Sequence, residues 1–135
     1  MADVDAAVAD THALMYHASG SPRLGKRAAA HFARCEAREA ILYVPVAVIW
    51  EVGLLARGAR VNLRRPPREF FADLFTNPAY QEYVLTAEQV FDADELRFTR
   101  DPFDALIVAA ARELGLPLLT RDSDIAGSGA VRTIW

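Results

Sequence analysis

Five short apolar runs, at residues 6–9, 41–44, 83–86, 116–120 and 131–134, constrain this chain more than any other feature. Runs of this length between turn signals read as buried strands rather than helices. The segments between them carry helical periodicity, at residues 26–39, 46–56, 69–75, 87–93 and 103–114. A further turn or helix start is expected at Asp10-Thr11-His12. Short apolar strands alternating with helices predict an α/β fold with a central, mainly parallel five-stranded sheet flanked by helices on both faces. Residues 59–68 read as an arginine- and proline-rich loop, because Pro66-Pro67 does not suit a regular element. Gly127-Ser128-Gly129 reads as a turn. No internal repeat and no linker divides the chain.

At 135 residues the expectation is one domain, residues 1–135, with a core that needs neither disulfides nor structural metal. Cys35 is the only cysteine, so a disulfide scaffold is excluded and a reducing compartment fits best. The first ten residues hold three aspartates and no basic residue, unlike a secretory signal. The longest uncharged stretch, residues 40–50, falls far short of the ~20 residues that span a bilayer. These features predict a soluble, cytoplasmic protein with no membrane partner.

The function-bearing signal is the position of four acids. Asp10 follows the first strand run directly, and Asp122 follows the fourth by two residues. Open parallel sheets place ligands at such carboxyl ends. Glu51 is the only charged residue between Ala40 and Ala56, and Asp104 lies near the start of the apolar helix at 103–114. Each acid also has a structural reading: Asp10 and Asp122 suit an N-cap or a turn, Asp104 suits a first-turn acid favoured by the helix dipole, and Glu51 suits a solvated helix face, although its apolar neighbours favour burial. Asp101-Pro102 reads as an N-cap with proline at the first helical position, which gives Asp101 a structural task and leaves Asp104 for chemistry. If Asp10, Glu51, Asp104 and Asp122 converge, a cation must neutralise them or some must take up protons. An all-oxygen donor set favours Mg²⁺ or Mn²⁺ over Zn²⁺. Such a site suits hydrolysis of a phosphodiester.

Other residues are less informative. Of 15 basic residues, five arginines (Arg57, Arg60, Arg64, Arg65 and Arg68) lie within twelve positions without an intervening acid. They form either a solvated face or a contact for a polyanion or an acidic partner. Arg121 is a further phosphate-contact candidate. His12 reads as locally hydrogen-bonded or as a substrate contact, and His17 and His31 show no metal-ligand spacing. Cys35 has no base near it in sequence. No Gly-rich phosphate loop or serine-nucleophile elbow is present. Phe70, Phe71, Tyr80 and Tyr83 read as core or dimer interface.

Four segments, in order, carry a family resemblance: Asp10-Thr11-His12-Ala13-Leu14; Val48-Ile49-Trp50-Glu51-Val52; Asp101-Pro102-Phe103-Asp104-Ala105-Leu106-Ile107-Val108-Ala109; and Leu119-Thr120-Arg121-Asp122-Ser123-Asp124. Together they resemble the PIN-domain ribonucleases, in particular the VapC-type toxins of type II toxin–antitoxin pairs. The resemblance implies Mg²⁺- or Mn²⁺-dependent cleavage of RNA, with Asp10, Glu51, Asp104 and Asp122 as catalytic metal ligands. Thr120 matches a supporting hydroxyl. Asp124 is a substitute or partner for Asp122, and Asp101 a further supporting acid. It also implies a homodimer and a cognate VapB-like antitoxin. Pro45 and Val48 stand where many relatives have serines, and Ala105 where many have arginine. These departures bear on subfamily and target.

Two rival readings remain at this level. A PIN-like module without cleavage would hold RNA or a protein partner. A metal-dependent phosphatase or DNA nuclease would use the same acids on another substrate.

Overall fold

The computed structural model describes residues 5–135; the acid-bearing start at residues 1–4 lies outside them. Strand β1 (Asp5–Ala9) leads into helix α1 (Thr11–Ser19), followed by α2 (Lys26–Glu36) and β2 (Ala40–Pro45). Helices α3 (Val46–Arg57) and α4 (Pro67–Leu74) precede β3 (Tyr80–Tyr83). Then come α5 (Ala87–Glu95), α6 (Pro102–Leu114), β4 (Leu118–Leu119), α7 (Ser123–Ser128) and β5 (Thr133–Ile134). The strands form one sheet in the order β3-β2-β1-β4-β5, and every pairing is parallel.

From β1 the chain steps outward through β2 to β3, then returns past β1 to β4 and β5. Right-handed crossovers in opposite directions place helices on both faces of the sheet. The reversal falls between β1 and β4, so their carboxyl ends flank a crevice with no crossover above it. Val8 and Ala9 on β1 are fully buried and pair with Leu118 and Leu119, which are buried too. Leu14, Phe32, Leu42, Val48, Ile107 and Val108 complete the core around them. Central strands covered on both faces read as apolar runs, which is why the sequence exposes them.

Several boundaries differ from expectation. The third strand lies at Tyr80–Tyr83 and overlaps the expected run at 83–86 only at Tyr83; Val84 and Leu85 are 60% and 43% exposed. As an edge strand, β3 pairs only with β2, so Gln81 and Glu82 can face solvent and the alternation carries little hydrophobic signal. Pro67 is the first residue of α4 rather than part of the loop, where its missing N–H costs nothing. Residues 123–128 form helix α7, capped by Gly129 at φ 71°, where only a glycine turn was expected. Gly58 does follow α3, but at φ −83°; Ala59 takes the left-handed conformation instead. Phe71 and Tyr80 are core residues, while Tyr83 sits at the surface and donates to Glu113.

Candidate active site

Asp10 directly follows β1 and caps α1. Its Oδ1 accepts from Thr11 N at 2.7 Å, and its Oδ2 accepts from Thr120 Oγ1 at 2.6 Å. The Thr120 hydroxyl in turn accepts from Asp122 N at 3.1 Å. The first and fourth strands are thus tied at their carboxyl ends through one carboxylate and one hydroxyl. Thr11 is fully buried and donates from Oγ1 to Glu51 Oε1 at 2.5 Å, which fixes the α3 glutamate against α1. Asp122 caps α7, its Oδ1 accepting from Asp124 N at 2.9 Å and Ile125 N at 3.0 Å. Asp101 caps α6 as expected, its Oδ1 accepting from Phe103 N at 2.8 Å.

These elements enclose a cavity of about 430 Å³ at the switch point. Asp10, Glu51, Asp104 and Asp122 all line it, and Asp101 joins them. The structural and functional readings of Asp10, Asp101 and Asp122 therefore coexist, since each caps a helix and faces the cavity. Asp124 is exposed in the first turn of α7 and does not line it.

The electrostatics follow from this crowding. Burial is the main cause pushing the Asp104 carboxyl up to about 7, and the charges of Asp101, Asp10, Asp122 and Glu51 add to it. Burial also raises Asp10 above the ordinary carboxylate range, against the hydrogen bond from Thr120, and raises Glu51 against the one from Thr11. Three half-buried or buried acids that resist ionisation in one cleft mark it as a candidate functional site, where a bound cation would favour their ionised forms. Among the described residues, no three carboxylates already stand at common ligand distance. The donor chemistry fits a hard divalent ion that keeps part of its water shell, as Mg²⁺ does.

Asp101→Asn separates charge from capping. Asparagine caps as well as aspartate, so stability should change by only a few tenths of a kcal/mol. The Asp104 titration should move down from about 7, because its strongest like-charged neighbour has gone. A carboxyl-carbon NMR titration reads that shift; an unmoved midpoint contradicts the coupling.

The arginine cluster is elsewhere. Arg57, Arg60, Arg64, Arg65 and Arg68 are all exposed around the α3–α4 connection, and none lines the cavity. Arg65 is engaged with Asp73 at 3.1 Å and lies over Phe70. The cation at the cavity is Arg121. His12 is exposed at the cavity with no side-chain hydrogen bond among the described residues, unlike the local bonding expected of it. Thr11, Tyr16 and Trp135 were not singled out by sequence reasoning. The spacing of His12 and Tyr16, four apart on a helix starting after Asp10, was an available signal for a shared face. Trp135 had none.

Fold and site together define an α/β protein with an all-parallel sheet whose switch point holds a carboxylate pocket. The PIN domain family model matches residues 7–128. The chain belongs to the PIN domain family. Among solved structures it is similar to VapBC2 from Rickettsia felis bound to a promoter DNA fragment, with TM-score 0.67, 12% identity, and 96% of this chain and 97% of that chain covered. It is also similar to a toxin–antitoxin complex from Klebsiella pneumoniae, with TM-score 0.64, 20% identity and 96% of each chain covered. FitAcB from Neisseria gonorrhoeae matches with TM-score 0.63, 15% identity, and coverage of 95% of this chain and 96% of that chain. No curated protein matches the chain. No helix among the described residues is long and apolar enough to cross a membrane.

Proposed function

We propose that this protein is a metal-dependent endoribonuclease acting as the toxin of a toxin–antitoxin pair. The observation that carries the reading is the convergence of Asp10, Glu51, Asp104 and Asp122 on one cavity at the switch point. These four would hold Mg²⁺ or Mn²⁺, with Asp101 beside them; Asp124 points to a peripheral role. A bound divalent ion would supply an activated water and neutralise charge gathering on the scissile phosphate.

The chain's own residues do the positioning. Thr11 N and Thr120 Oγ1 hold both oxygens of Asp10, so this carboxylate has little freedom to turn. Thr11 Oγ1 orients Glu51. Asp104, poised near neutrality, can carry a proton when the site is empty and release it when a cation arrives. Arg121 offers a cation where the phosphate must approach a negative pocket. The resemblance and the toxin–antitoxin relatives support a VapB-like antitoxin as partner, a homodimer, and a cytoplasmic setting. Val84, Leu85, Val90 and Phe91, all exposed around α5, support a protein contact of that kind. The cluster from Arg57 to Arg68 is assigned to RNA or antitoxin outside the cavity.

The test is cleavage by purified protein of single-stranded RNA, DNA and a phosphomonoester, with Mg²⁺ or Mn²⁺ and then with EDTA. RNA should be cut with metal, and excess EDTA should reduce the rate to background. Undiminished cleavage in EDTA sinks the metal mechanism. Cleavage of DNA or the monoester in preference to RNA sinks the substrate assignment. Binding without cleavage favours the inactive module.

A further inference from the structure

The cavity has two kinds of lining. Besides its carboxylates it is bordered by His12, Tyr16, Arg121 and Trp135. The Tyr16 and Trp135 rings meet edge-on with centroids 6.2 Å apart, and His12 tilts toward Tyr16 at 6.1 Å. The Arg121 guanidinium lies 5.2 Å from the centre of the Tyr16 ring and donates to Tyr16 Oη at 2.9 Å.

Two details argue that this wall is built for a ligand. Arg121 borders a pocket holding five acids, yet the arginine ion pairs among the described residues are Arg34–Asp5, Arg65–Asp73 and Arg112–Asp92. Tyr16 holds the guanidinium off the carboxylates, which leaves it free for an anion. Trp135 packs in part against the core and is held there by backbone contacts: its carbonyl oxygen accepts from Arg27 N at 2.9 Å and Ala28 N at 3.0 Å, at the start of α2. That docking requires Gly25. A Cβ there would lie 2.3 Å from Trp135 O and 2.6 Å from the indole Cδ1. The glycine and the helix start therefore fix an indole that remains only half-buried at the cavity.

We propose that Tyr16, Arg121 and Trp135, with His12 at the edge, form a nucleobase subsite beside the carboxylates. It takes the unpaired base of a nucleotide next to the cleaved phosphodiester, and Arg121 contacts that nucleotide's phosphate. The inference rests on the nuclease reading and deepens it. A pocket of acids repels a polyanion, so substrate affinity has to come from groups other than the carboxylates. Stacking on aromatic and guanidinium planes supplies it without regard to sequence, and only for bases not already stacked in a duplex. Gly25 is a positioning residue in this scheme.

The test uses Trp50→Phe protein, in which Trp135 is the only indole. A single-stranded RNA hexamer, with Ca²⁺ replacing Mg²⁺, should quench its emission saturably. An abasic ribose-phosphate chain of equal length should not quench, and should bind about tenfold or more weakly by fluorescence anisotropy. In cleavage assays Trp135→Ala and Gly25→Ala should raise KM about tenfold, with kcat within a few-fold of the parent; Trp135→Phe should restore most of the loss. Melting curves identify any variant that fails to fold, and the abasic comparison needs no substitution in the wall. Equal affinity for both chains with unchanged emission overturns the subsite, as does failure to bind either. Quenching by the hexamer without cleavage in Mg²⁺ or Mn²⁺ supports the subsite while defeating the nuclease reading. Cleavage that is indifferent to the bases defeats the subsite alone.

Discussion

Asp10→Asn is expected to abolish RNA cleavage, by on the order of a thousandfold or more, while leaving the fold intact. Asp10 is 7% exposed, and its carboxylate meets Thr11 N with one oxygen and Thr120 Oγ1 with the other. An asparagine Oδ1 can still accept from Thr11 N and preserve the cap on α1. Its amide becomes a donor facing Thr120, whose hydroxyl must turn, a rearrangement that costs little beside removal of a buried charge. Burial already disfavours the ionised form of Asp10. The metal-free variant should therefore melt at or above the parent's temperature. What it loses is the negative charge that would hold a divalent ion, so activity and stability should move in opposite directions. Glu51→Gln should behave alike, since Thr11 Oγ1 can donate to the amide oxygen as well as to the carboxylate. Cleavage assays paired with thermal melts decide it. Full activity in either variant refutes the assigned site, and a large drop in melting temperature would mark a structural role instead.

The metal-free protein is expected to lose stability as pH rises from the ordinary carboxylate range toward about 7, and to recover it when Mg²⁺ or Mn²⁺ is added. In the folded protein Asp104 titrates near 7, against 3.8 for the free group. The folded state therefore holds this proton more tightly than the unfolded chain does. Stability from that source is complete at low pH, falls across the interval between the two values, and levels off above it. Asp10 and Glu51, also raised, act in the same direction. Replacing Asp104 with asparagine should flatten the fall and stabilise the metal-free protein at pH 8 by on the order of 1 kcal/mol or somewhat more, after allowance for solvent screening. Divalent metal does by binding what protonation does at low pH. At about a hundred times its dissociation constant an ion adds about 2.7 kcal/mol, or several degrees of melting temperature. The shift should be large at pH 8 and small near pH 5, where protons compete. Melts at several pH values, with and without metal, check both parts. A flat metal-free profile, or a metal shift independent of pH, contradicts the coupling.

Much of the molecule is legible in its sequence. Strands β1 and β2 are apolar because they are covered on both faces, and helix α6 announced itself through Asp101-Pro102 and a long apolar stripe ending at Gly115. The edge strand β3 was misplaced because a strand with one neighbour can carry Gln81 and Glu82. Strands β4 and β5, at two residues each, are shorter than their apolar runs implied. The four acids were found from their positions after strands or among apolar residues, and all four line the cavity. The cluster at Arg57 to Arg68 was the more conspicuous cation signal, yet it lies away from the pocket.

The sequence by itself determined the alternating α/β pattern, the cap at Asp101, and the placing of four carboxylates after strands or among apolar residues. These are local properties, written in periodicity and in neighbours along the chain. The tertiary structure alone decided that Thr120 closes on Asp10 across 110 positions and that Thr11 closes on Glu51 across 40. It also placed Trp135 at the pocket by way of Gly25. Such contacts depend on the reversal of strand order between β1 and β4, and that order is a non-local outcome of packing the whole sheet. No window of neighbouring residues contains it.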